Sequence, residues 1–563
     1  MSFFRLTDKT AGTKPAEEAG STGFRRAVRI IRTVLICFAA ALYVFYFITN
    51  LRAMSIGGGI LSASLLALFT FAAYKAVPLV LKTLIGERLC SFVPVPNARR
   101  DFSRIMLAAL AIHIVTTILG MVLYRVFTPD FSGNLFELWE TSWSKHNTDV
   151  PHYINIAENW YVNDGKDRLL IVFYPMLPLL MRMLNPVFHN SFVSAQIINT
   201  IATCLASGTA YLTLYGILGK KRSVHAALLS LLLPGAIFLN SPMTEPLFML
   251  FCFCAFYCLQ KHKFILSAVF TALAGFTRSL GVVLAAAIFI EGVGTVVRNI
   301  RDGKKYGKQI IAVAAALVIS TLGTVAYLLI NYNVSGDFFV FMEYEKLNWD
   351  QQLGLFFDTM RYIWDWCVNA IPNGNISVIY SLWIPTVLIA FASLALITAR
   401  MRELPSAYIV FFLAYYVLAM GCTWLLSAVR YLCATLPLTA SVAALCTTKK
   451  KTQAVYGCTC VLYVAFLCMY MLRLSYSDSG ITASYDARHL RASIFHVVEI
   501  INILAFFTRS DPARKEIAPL NGVIEYMFHD TKILYASRTR HMRSRTRAGV
   551  QQVADHNVPF VNI

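Results

Sequence analysis

One acidic residue, Asp149, opens a stretch that is rich in aromatic side chains and follows an apolar run. The stretch reads DVPHYINIAENWYVNDGKDRLLIVFYPMLP and ends at Pro178. A carboxylate held at the mouth of a membrane bundle is costly unless chemistry or recognition needs it. Fixed in an outer loop, Asp149 could take the proton of a hydroxyl nucleophile and act as a general base. Composition leaves an alternative equally open, an interfacial belt of aromatic residues with a solvated carboxylate.

Aromatic rings follow this carboxylate closely and offer flat surfaces suited to a sugar: His152, Tyr153, Trp160 and Tyr161. Pro151 stiffens the backbone between Asp149 and these rings. A short helix lying on the membrane would carry four of the stretch's residues on one side: Tyr153, Ile156, Ala157 and Trp160. For His152, a structural hydrogen-bonding role is the alternative to a base or a ligand.

Composition places these residues in a membrane protein. The chain has 563 residues, of which 57% are hydrophobic and 14% charged, and its mean hydropathy is +0.59. A soluble protein carries about a quarter charged residues. Apolar runs of about 20 residues recur, which is the length an α-helix needs to cross the hydrocarbon core. Because the runs are continuous rather than alternating, they predict helices and not a barrel.

The net charge of +20 does not indicate a nucleic-acid partner, because the basic residues gather at the ends of the apolar runs. That is the positive-inside pattern of a membrane protein, and membrane lipids are the predicted partners of this surface. The thirteen cysteines fall mostly inside apolar runs, and no CxxC pair lies beside a histidine in a loop. A zinc site is therefore not predicted.

The predicted fold is an all-α polytopic bundle of about 11–14 spans, with short amphipathic helices in its first large extracytoplasmic loop. The predicted spans are 31–50, 58–81, 105–126, 194–217, 223–240, 246–260, 264–276, 281–293, 309–331, 377–398, 407–426, 429–447 and 455–473. The predicted regions are a basic cytoplasmic segment at 1–30, three helices at 31–126, a catalytic loop at 127–193, the remaining bundle at 194–473 with an outer loop at 332–376, and a C-terminal segment at 474–563.

Charge predicts which loops face outward. With the basic N-terminus inside, the loop at 127–168 lies outside, and it holds seven acidic residues against three basic ones. Counted onward from there, Glu245, Arg278 and Arg430 fall on the same outer face. The two short pieces on either side of Arg278 predict a broken or closely paired helical element. The segment 493–507 is either an interfacial helix or a marginal last span, and the basic cluster at 538–547 is typical of a cytoplasmic tail.

The order of residues in the loop also resembles a known family. Asp-x-x-His-Tyr-x-x-Ile-Ala-x-x-x-Tyr runs from Asp149 to Tyr161, and Phe173-Tyr-Pro-x-x-Pro178 follows. This order resembles the PIG-V family of mannosyltransferases, which includes GPI mannosyltransferase II and bacterial relatives within the GT-C class. The family usually has Trp where this chain has Thr148, and often has Gly where it has Trp160.

Three later segments match the family's elements in the same order. Asn240-Ser-Pro-Met-Thr-Glu245 resembles its segment that ends in Glu before a Leu-Phe helix. Phe276-Thr-Arg-Ser-Leu-Gly281 resembles its Arg-Ser-x-Gly element, and Arg430-Tyr431 resembles its C-terminal Arg-Tyr. The resemblance covers roughly residues 140 to 445 and leaves the first two spans and the C-terminal tail unexplained.

The resemblance implies a GT-C-like fold and transfer of a sugar from a polyprenyl-phosphate donor to a hydroxyl, with inversion. Asp149 would be the base. Arg278 and Arg430 would stabilise the charge of the donor phosphate, with Tyr431 beside them and Glu245 near the sugar. Each has an alternative: arginines at helix ends can snorkel to water, and a carboxylate at a helix N-terminus is favoured by the dipole.

The outer loop at 332–376 and the proline pair have less specific signals. Glu343, Glu345, Lys346, Trp349 and Asp350 could line an acceptor cleft or form an ordinary solvated loop. Among the acceptor or loop candidates we place His152, Tyr153, Tyr161 and Trp349. Pro175 and Pro178 are expected to deform or interrupt a helix and so bring the outer loop onto the bundle.

The sequence therefore predicts an integral membrane glycosyltransferase, specifically a mannosyltransferase, whose acceptor is a glycan or glycolipid. No required metal or other cofactor is predicted, since paired carboxylates at metal spacing are absent. No Gly-rich nucleotide motif follows a strand, which favours a lipid-linked donor. The alternative function is a transporter or flippase of lipid-linked saccharides, which would need polar groups near the bilayer midplane. A bacterial cell membrane is favoured, with the endoplasmic reticulum membrane as the alternative.

Overall fold

The computed structural model describes residues 14–476, apart from 88–92, 145–147, 350, 373–378 and 423–426. These residues all belong to one structural unit, Met1–Ile494. The predicted segment at 493–507 and the basic tail at 538–547 lie outside the described residues, as does Asp350.

The described chain is built of α-helices joined by short turns. In chain order they are α1 (Lys14–Asn50), α2 (Ile56–Leu84), α3 (Ala98–Phe127), α4 (Leu135–Ser144), α5 (Val150–Asn159), α6 (Met176–Phe188), α7 (Ser191–Leu229), α8 (Glu245–Gln260), α9 (Phe264–Thr277), α10 (Leu284–Arg301), α11 (Gly307–Ser335), α12 (Val340–Trp349), α13 (Asp358–Ala370), α14 (Ile384–Arg400), α15 (Ser406–Met420), α16 (Ala428–Cys433), α17 (Leu436–Ala443) and α18 (Lys449–Tyr476). Short 3₁₀ helices lie at Asp167–Val172, Pro234–Asn240, Ser279–Val283 and Met401–Glu403.

Eight of the described helices are long and apolar enough to cross a membrane. A ninth span results if the 3₁₀ helix Pro234–Asn240 and α8, which are bent by 110°, are taken together. Three shorter apolar helices, α6, α9 and α15, add to the bundle. Large apolar side chains such as Phe45, Leu107 and Ile311 are exposed, as expected of helices that face lipid. The predicted class, an all-α multi-pass membrane protein, is confirmed.

Two predicted spans are interrupted in the structure, although the break predicted before the first of them is present. α7 turns sharply at Gly219, and the Ser207 hydroxyl before the turn donates to the carbonyl oxygen of Ala227 after it at 2.8 Å, so the two parts of α7 pack against each other. The second part ends at Leu229, and the rest of the run at 223–240 consists of turns and the 3₁₀ helix Pro234–Asn240. Gly219 has φ 77° and ψ 164°, a conformation that glycine adopts readily and other residues avoid. The run at 429–447 is divided into α16 and α17, where Thr435 is extended and Pro437 lies in the first turn of α17.

The predicted short helices of the outer loop are present. In α5 the residues Val150, Tyr153, Ile156 and Ala157 are buried, and Tyr153 and Ala157 pack against Met176, Leu177 and Ala195 of α6 and α7. The apolar face of α5 thus covers the helix bundle instead of lying on the membrane. Trp160 is not on that face, because α5 ends at Asn159 and Trp160 leaves the helix with φ 63°.

The proline pair begins a helix and does not interrupt one. Pro175 is the residue before α6, and Pro178 is the third residue of that helix. The first turn of a helix has no backbone acceptors for its N–H groups, so a proline there loses no hydrogen bond. The expectation that the two prolines deform a helix was wrong in this respect.

The broken element predicted around Arg278 is confirmed. α9 ends at Thr277, Arg278 is extended with φ −155° and ψ 144°, and the 3₁₀ helix Ser279–Val283 leads into α10. Gly281 makes this reversal possible: a Cβ there would lie 2.3 Å from the carbonyl oxygen of Ala274. The Arg-Ser-x-Gly pattern is therefore a turn that holds Arg278 at a helix break.

Candidate functional site

Four charged side chains from distant parts of the chain meet in one cluster. Arg430, in α16, lies at its centre: Nη1 is 2.7 Å from Oδ2 of Asp149, and Nε is 2.6 Å from Oε1 of Glu245. Arg278 also donates through Nη1 to Oε1 of Glu245. We call Asp149, Glu245, Arg278 and Arg430 the ion cluster. The structure thus brings together the base candidate and three of the donor-site candidates.

The ion cluster is largely shielded from solvent. The side chains are exposed by 2% at Glu245, 9% at Arg430, 13% at Arg278 and 33% at Asp149. Snorkelling to water does not describe the arginines, because Arg430 is buried, Arg278 is largely buried, and both are paired. Removing charges from water costs several kcal/mol per ion, roughly, even after relaxation. Such a cluster is weak evidence for a purely stabilising role and stronger evidence for a functional one.

Tyr431, the fourth donor-site candidate, lies against both arginines. The guanidinium carbon of Arg278 is 4.5 Å from the centre of the Tyr431 ring, and that of Arg430 is 5.4 Å away. Phe238 is a further ring near Arg430, at 5.6 Å. Cations over aromatic faces are stabilised when they are desolvated. The rings therefore hold the guanidinium groups in place without using their N–H donors.

Glu245 retains unused hydrogen-bonding capacity. It is the first residue of α8, so the helix dipole also favours its charge. Both arginines contact Oε1, whereas Oε2 is buried and has no hydrogen-bond partner among the described residues. The contact between Arg430 Nε and Oε1 is an ion pair without hydrogen-bond alignment. Buried polar atoms without a partner are rare in proteins, and a ligand hydroxyl would satisfy Oε2.

Asp149 is the accessible member of the ion cluster. It immediately precedes α5, yet its side chain makes no capping hydrogen bond to that helix. Burial opposes its ionisation, but the charge and hydrogen bond of Arg430, with His152 and Arg278 contributing, hold the pKa of Asp149 below its ordinary value. A partly exposed carboxylate that is ionised at neutral pH is the chemical state a proton acceptor needs.

The backbone that leads to Glu245 is held by amide side chains from α7. Nδ2 of Asn199 donates to the carbonyl oxygens of Ser241 at 2.7 Å and Met243 at 3.1 Å, and Nε2 of Gln196 donates to that of Asn240 at 3.0 Å. Our sequence reasoning missed Asn199 and Gln196. A signal was present, because two amides spaced three apart inside an apolar span are exceptional.

The acceptor or loop candidates are arranged around Phe173. His152 stacks on its ring at 4.8 Å, Tyr153 meets it edge-on at 5.4 Å, and Trp349 of α12 does so at 5.9 Å. We call His152, Phe173 and Trp349, which are all partly exposed, the aromatic wall. Burial lowers the pKa of His152, although Asp149 and Asp167 act in the opposite direction.

Tyr161 and Tyr153 support this wall from behind. The Tyr161 ring is buried, and its hydroxyl donates to the carbonyl oxygen of Phe173 at 2.6 Å. Tyr153 is also buried and belongs to the apolar cluster formed by α5, α6 and α7. These two tyrosines therefore position the loop, whereas the side chains of His152 and Trp349 remain partly exposed.

No protein-family model and no curated protein matches this chain. Among solved structures it is similar to ArnT from Cupriavidus metallidurans bound to undecaprenyl phosphate, with 12% identity and a TM-score of 0.44 over 71% of this chain and 72% of that one. It is also similar to the oligosaccharyltransferase of Archaeoglobus fulgidus tethered with an acceptor peptide, with 12% identity and a TM-score of 0.33 over 67% of this chain and 56% of that one. A third similar structure is the archaeal oligosaccharyltransferase AglB from the same organism, in complex with an inhibitory peptide and a dolichol-phosphate. Its identity is 11% and its TM-score is 0.32, over 67% of this chain and 59% of that one. With TM-scores below 0.5, the similarity is limited to the general arrangement of the helices.

Proposed function

We propose that this protein is a membrane glycosyltransferase of the GT-C type that transfers a sugar from a polyprenyl-phosphate donor to a hydroxyl of a glycan or glycolipid, with inversion, on the extracytoplasmic face. The observation that carries the proposal is the ion cluster, in which two largely buried arginines lie near one accessible, ionised carboxylate. The resemblance to the PIG-V family specifies mannose as the sugar. The proposal depends on the ion cluster and on the order of the motifs, and not on the solved structures.

The arginines suit a lipid phosphate. A sugar phosphate that leaves as a phosphate anion requires a cation, and arginine offers several N–H donors in a planar array that matches phosphate oxygens. Arg278 and Arg430 are held by Glu245 and by the Tyr431 ring. A donor phosphate would therefore bind to guanidinium groups that are already fixed in position. Oε2 of Glu245 would accept a hydrogen bond from a hydroxyl of the transferred sugar.

Asp149 supplies the proton acceptor. The acceptor oxygen attacks the anomeric carbon from the side opposite the phosphate, its proton passes to Asp149, and the bond from the anomeric carbon to the phosphate oxygen breaks. The polyprenyl phosphate leaves with the electron pair. One displacement inverts the configuration, and a single base is enough for it.

Donor binding would also make Asp149 a stronger base. In the structure Arg430 holds the pKa of Asp149 low. A phosphate that attracts Arg430 weakens the ion pair with Asp149, and the carboxylate then binds a proton more readily. The arrangement therefore couples proton acceptance to the presence of the donor.

The decisive experiment measures transfer from synthetic polyprenyl-phosphate mannose by the purified full-length protein, with a panel of glycan and lipid acceptors. Asp149→Asn keeps the shape of the side chain and should lower the transfer rate by about 10²–10⁴-fold, with unchanged helix content and detergent solubility as the fold check. Arg278→Ala and Arg430→Ala should raise the KM for the donor. Full activity of Asp149→Asn would refute its role as the base.

The competing function is transport of a lipid-linked saccharide. Purified protein in detergent separates the two, because transport has no meaning without a sealed compartment. Wild-type protein that is folded yet neither transfers nor hydrolyses any of several lipid-linked sugars would favour the transporter. Running the assay with EDTA tests the expectation that no metal is needed. A bacterial cell membrane remains the proposed location, with the endoplasmic reticulum membrane as the alternative.

A further inference from the structure

Helix α12 carries a second carboxylate to the same side of the molecule as the aromatic wall. Phe341, Glu345 and Trp349 are spaced by four residues and so share one face of this helix. The Phe341 ring meets Tyr327 at 5.3 Å, and the Trp349 ring meets Phe173 at 5.9 Å. Glu345 lies between these two contacts and therefore faces the segment that follows Phe173.

Tyr174, the residue after Phe173, lies within electrostatic reach of Glu345. Tyr174 stacks on Tyr327 with ring centres 4.0 Å apart. Glu345 acts electrostatically on Tyr174 and Tyr327. The stacked pair Tyr174 and Tyr327 is thus the aromatic surface nearest to Glu345 in electrostatic terms.

Cys422, just after α15, provides a second connection. The charges of Glu345 and Arg278 both act on the ionisation of its thiol. The backbone beside it is joined to the segment after α12 by a hydrogen bond of 2.6 Å from the N–H of Gly354 to the carbonyl oxygen of Gly421. Cys422 and Tyr174 are therefore both within electrostatic reach of Glu345.

Glu345 has no ion-pair partner among the described residues, although other charges lie near. On α12 itself Glu343 and Lys346 are exposed. From the 3₁₀ helix Asp167–Val172, Arg168 lies over the Tyr344 ring at 5.8 Å, and Asp167 acts on His152. Burial without a neutralising cation raises the pKa of Glu345 to about 7. A carboxylate placed in aromatic surroundings with no counter-ion is costly, and this directs attention to a ligand.

We propose that Glu345 is the residue that binds the hydroxyl groups of a saccharide acceptor, with the aromatic wall covering the ring of that sugar. An ionised carboxylate accepts two or more O–H hydrogen bonds, which are short and strong. The adjacent rings of Trp349 and Phe173 offer the apolar surface that a sugar ring also needs. This inference rests on the proposed function and narrows its acceptor to a carbohydrate bound through a named residue.

The acceptor affinity should depend on pH. A raised pKa means that Glu345 is protonated below neutrality and ionised above it, so its capacity to accept hydrogen bonds increases as the pH rises. The KM for a saccharide acceptor should then fall between about pH 6 and about pH 8. The free energy of unfolding should fall as the pH rises from about 4.5 to about 7, because over this interval the unfolded chain has already released the proton that the folded state keeps on the partly buried Glu345 carboxyl.

The test compares two acceptors of equal chain length, an alkyl mannoside and a simple alkyl alcohol, with polyprenyl-phosphate mannose as the donor. Glu345→Gln should raise the KM for the mannoside by about tenfold, remove its pH dependence, and leave the KM for the alcohol and for the donor unchanged. Glu343→Gln, on the exposed side of the same helix, is the matched control and should behave as wild type. Glu345→Asp repeats the comparison if Glu345→Gln does not fold.

The outcomes separate this inference from the proposed function. If Glu345→Gln has the same mannoside KM and pH profile as wild type, the role of Glu345 is wrong. The proposed function would still stand in that case, because the wild type transfers the sugar. Equal effects on the mannoside and the alcohol would indicate a structural role and also overturn it. Wild type that does not turn over the donor at all would overturn the proposed function, and the acceptor role of Glu345 with it.

Discussion

At the scale of single residues, the ion cluster requires arginine at position 430. Its Nη1 faces Asp149 while its Nε faces Glu245, so one planar group contacts two carboxylates on different edges. A lysine ammonium is a compact point charge and could not reach both in this way. The planar shape of the guanidinium group, and not only its charge, therefore fixes the positions of Asp149 and Glu245 relative to each other.

Trp160 has a backbone conformation that is unfavourable for a residue with a large side chain. It has φ 63° and ψ −172°, a region that is nearly restricted to glycine, and the PIG-V pattern often has Gly at this place. Its ring packs on that of Tyr161 at 5.0 Å. The aromatic contact is retained despite the unfavourable backbone conformation, which keeps Tyr161 and the turn after α5 in place.

We expect Trp160→Gly to be more stable than Trp160→Ala by about 1 kcal/mol. Both variants lose the same aromatic ring, so the difference isolates the backbone term. Thermal unfolding of the purified protein in detergent measures it. Asn155, inside α5, is the control: there Gly should be less stable than Ala by about 1 kcal/mol. Ala equal to or better than Gly at position 160 would contradict the strained conformation.

At the scale of elements, helix breaks place the charged residues. Arg278 lies between α9 and a 3₁₀ turn, Glu245 begins α8, and Asp149 precedes α5. A residue at such a break can turn its side chain into the bundle while the helices on either side satisfy their own backbone groups. The bent connection before α8 is secured in turn by Asn199 and Gln196 of α7.

Asn199→Ala should therefore impair both stability and turnover. It removes the side-chain donor to the carbonyl oxygens of Ser241 and Met243, of which Ser241 keeps only the bond from the Met243 N–H; this loss costs about 1–3 kcal/mol and lets Glu245 shift relative to the arginines. The melting temperature and the donor KM are the measurements. Thr203→Val, one turn further along α7, is the control: the Thr203 hydroxyl is buried and has no hydrogen-bond partner among the described residues, so that variant should be neutral. Normal donor KM in Asn199→Ala would show that the connection is not held by this residue.

At the scale of the whole molecule, charge asymmetry predicts the direction of the bundle. The loop with Asp149 is acidic, whereas the last turn of α10 carries Arg298 and Arg301 and the connection to α11 carries Lys304 and Lys305. The positive-inside rule predicts that the basic connection is cytoplasmic and that the ion cluster is extracytoplasmic. Under the proposed function, a lipid-linked donor would present its sugar on that outer face.

Cysteine labelling tests this direction. Asp164→Cys and Lys304→Cys place thiols at exposed positions of the two connections. A membrane-impermeant maleimide should label the first in intact cells or oriented vesicles and the second after permeabilisation, relative to the wild-type background. Labelling of position 304 from outside would reverse the topology and place the proposed reaction on the cytoplasmic face.

The sequence alone was sufficient for the class and for the list of candidates. Continuous apolar runs dictate helices, because a backbone in lipid must satisfy its own hydrogen bonds, and the order of motifs selected Asp149, Glu245, Arg278, Arg430 and Tyr431. The break at Arg278 was also readable, since the two flanking runs were too short to span. Local signals of this kind depend on residues that are near in sequence.

Only the tertiary structure decided which of these residues meet. Asp149 and Arg430 are 281 positions apart, and no local pattern encodes their contact, which arises from the packing of α16 beside the start of α5. The same holds for Asn199 and for Glu345, whose surroundings come from α7 and α12 folding onto other segments. The conformation of Trp160 and the first-turn prolines of α6 were likewise set by neighbouring elements. Helix formation is a local, backbone-driven event, whereas a site made of ion pairs depends on long-range packing.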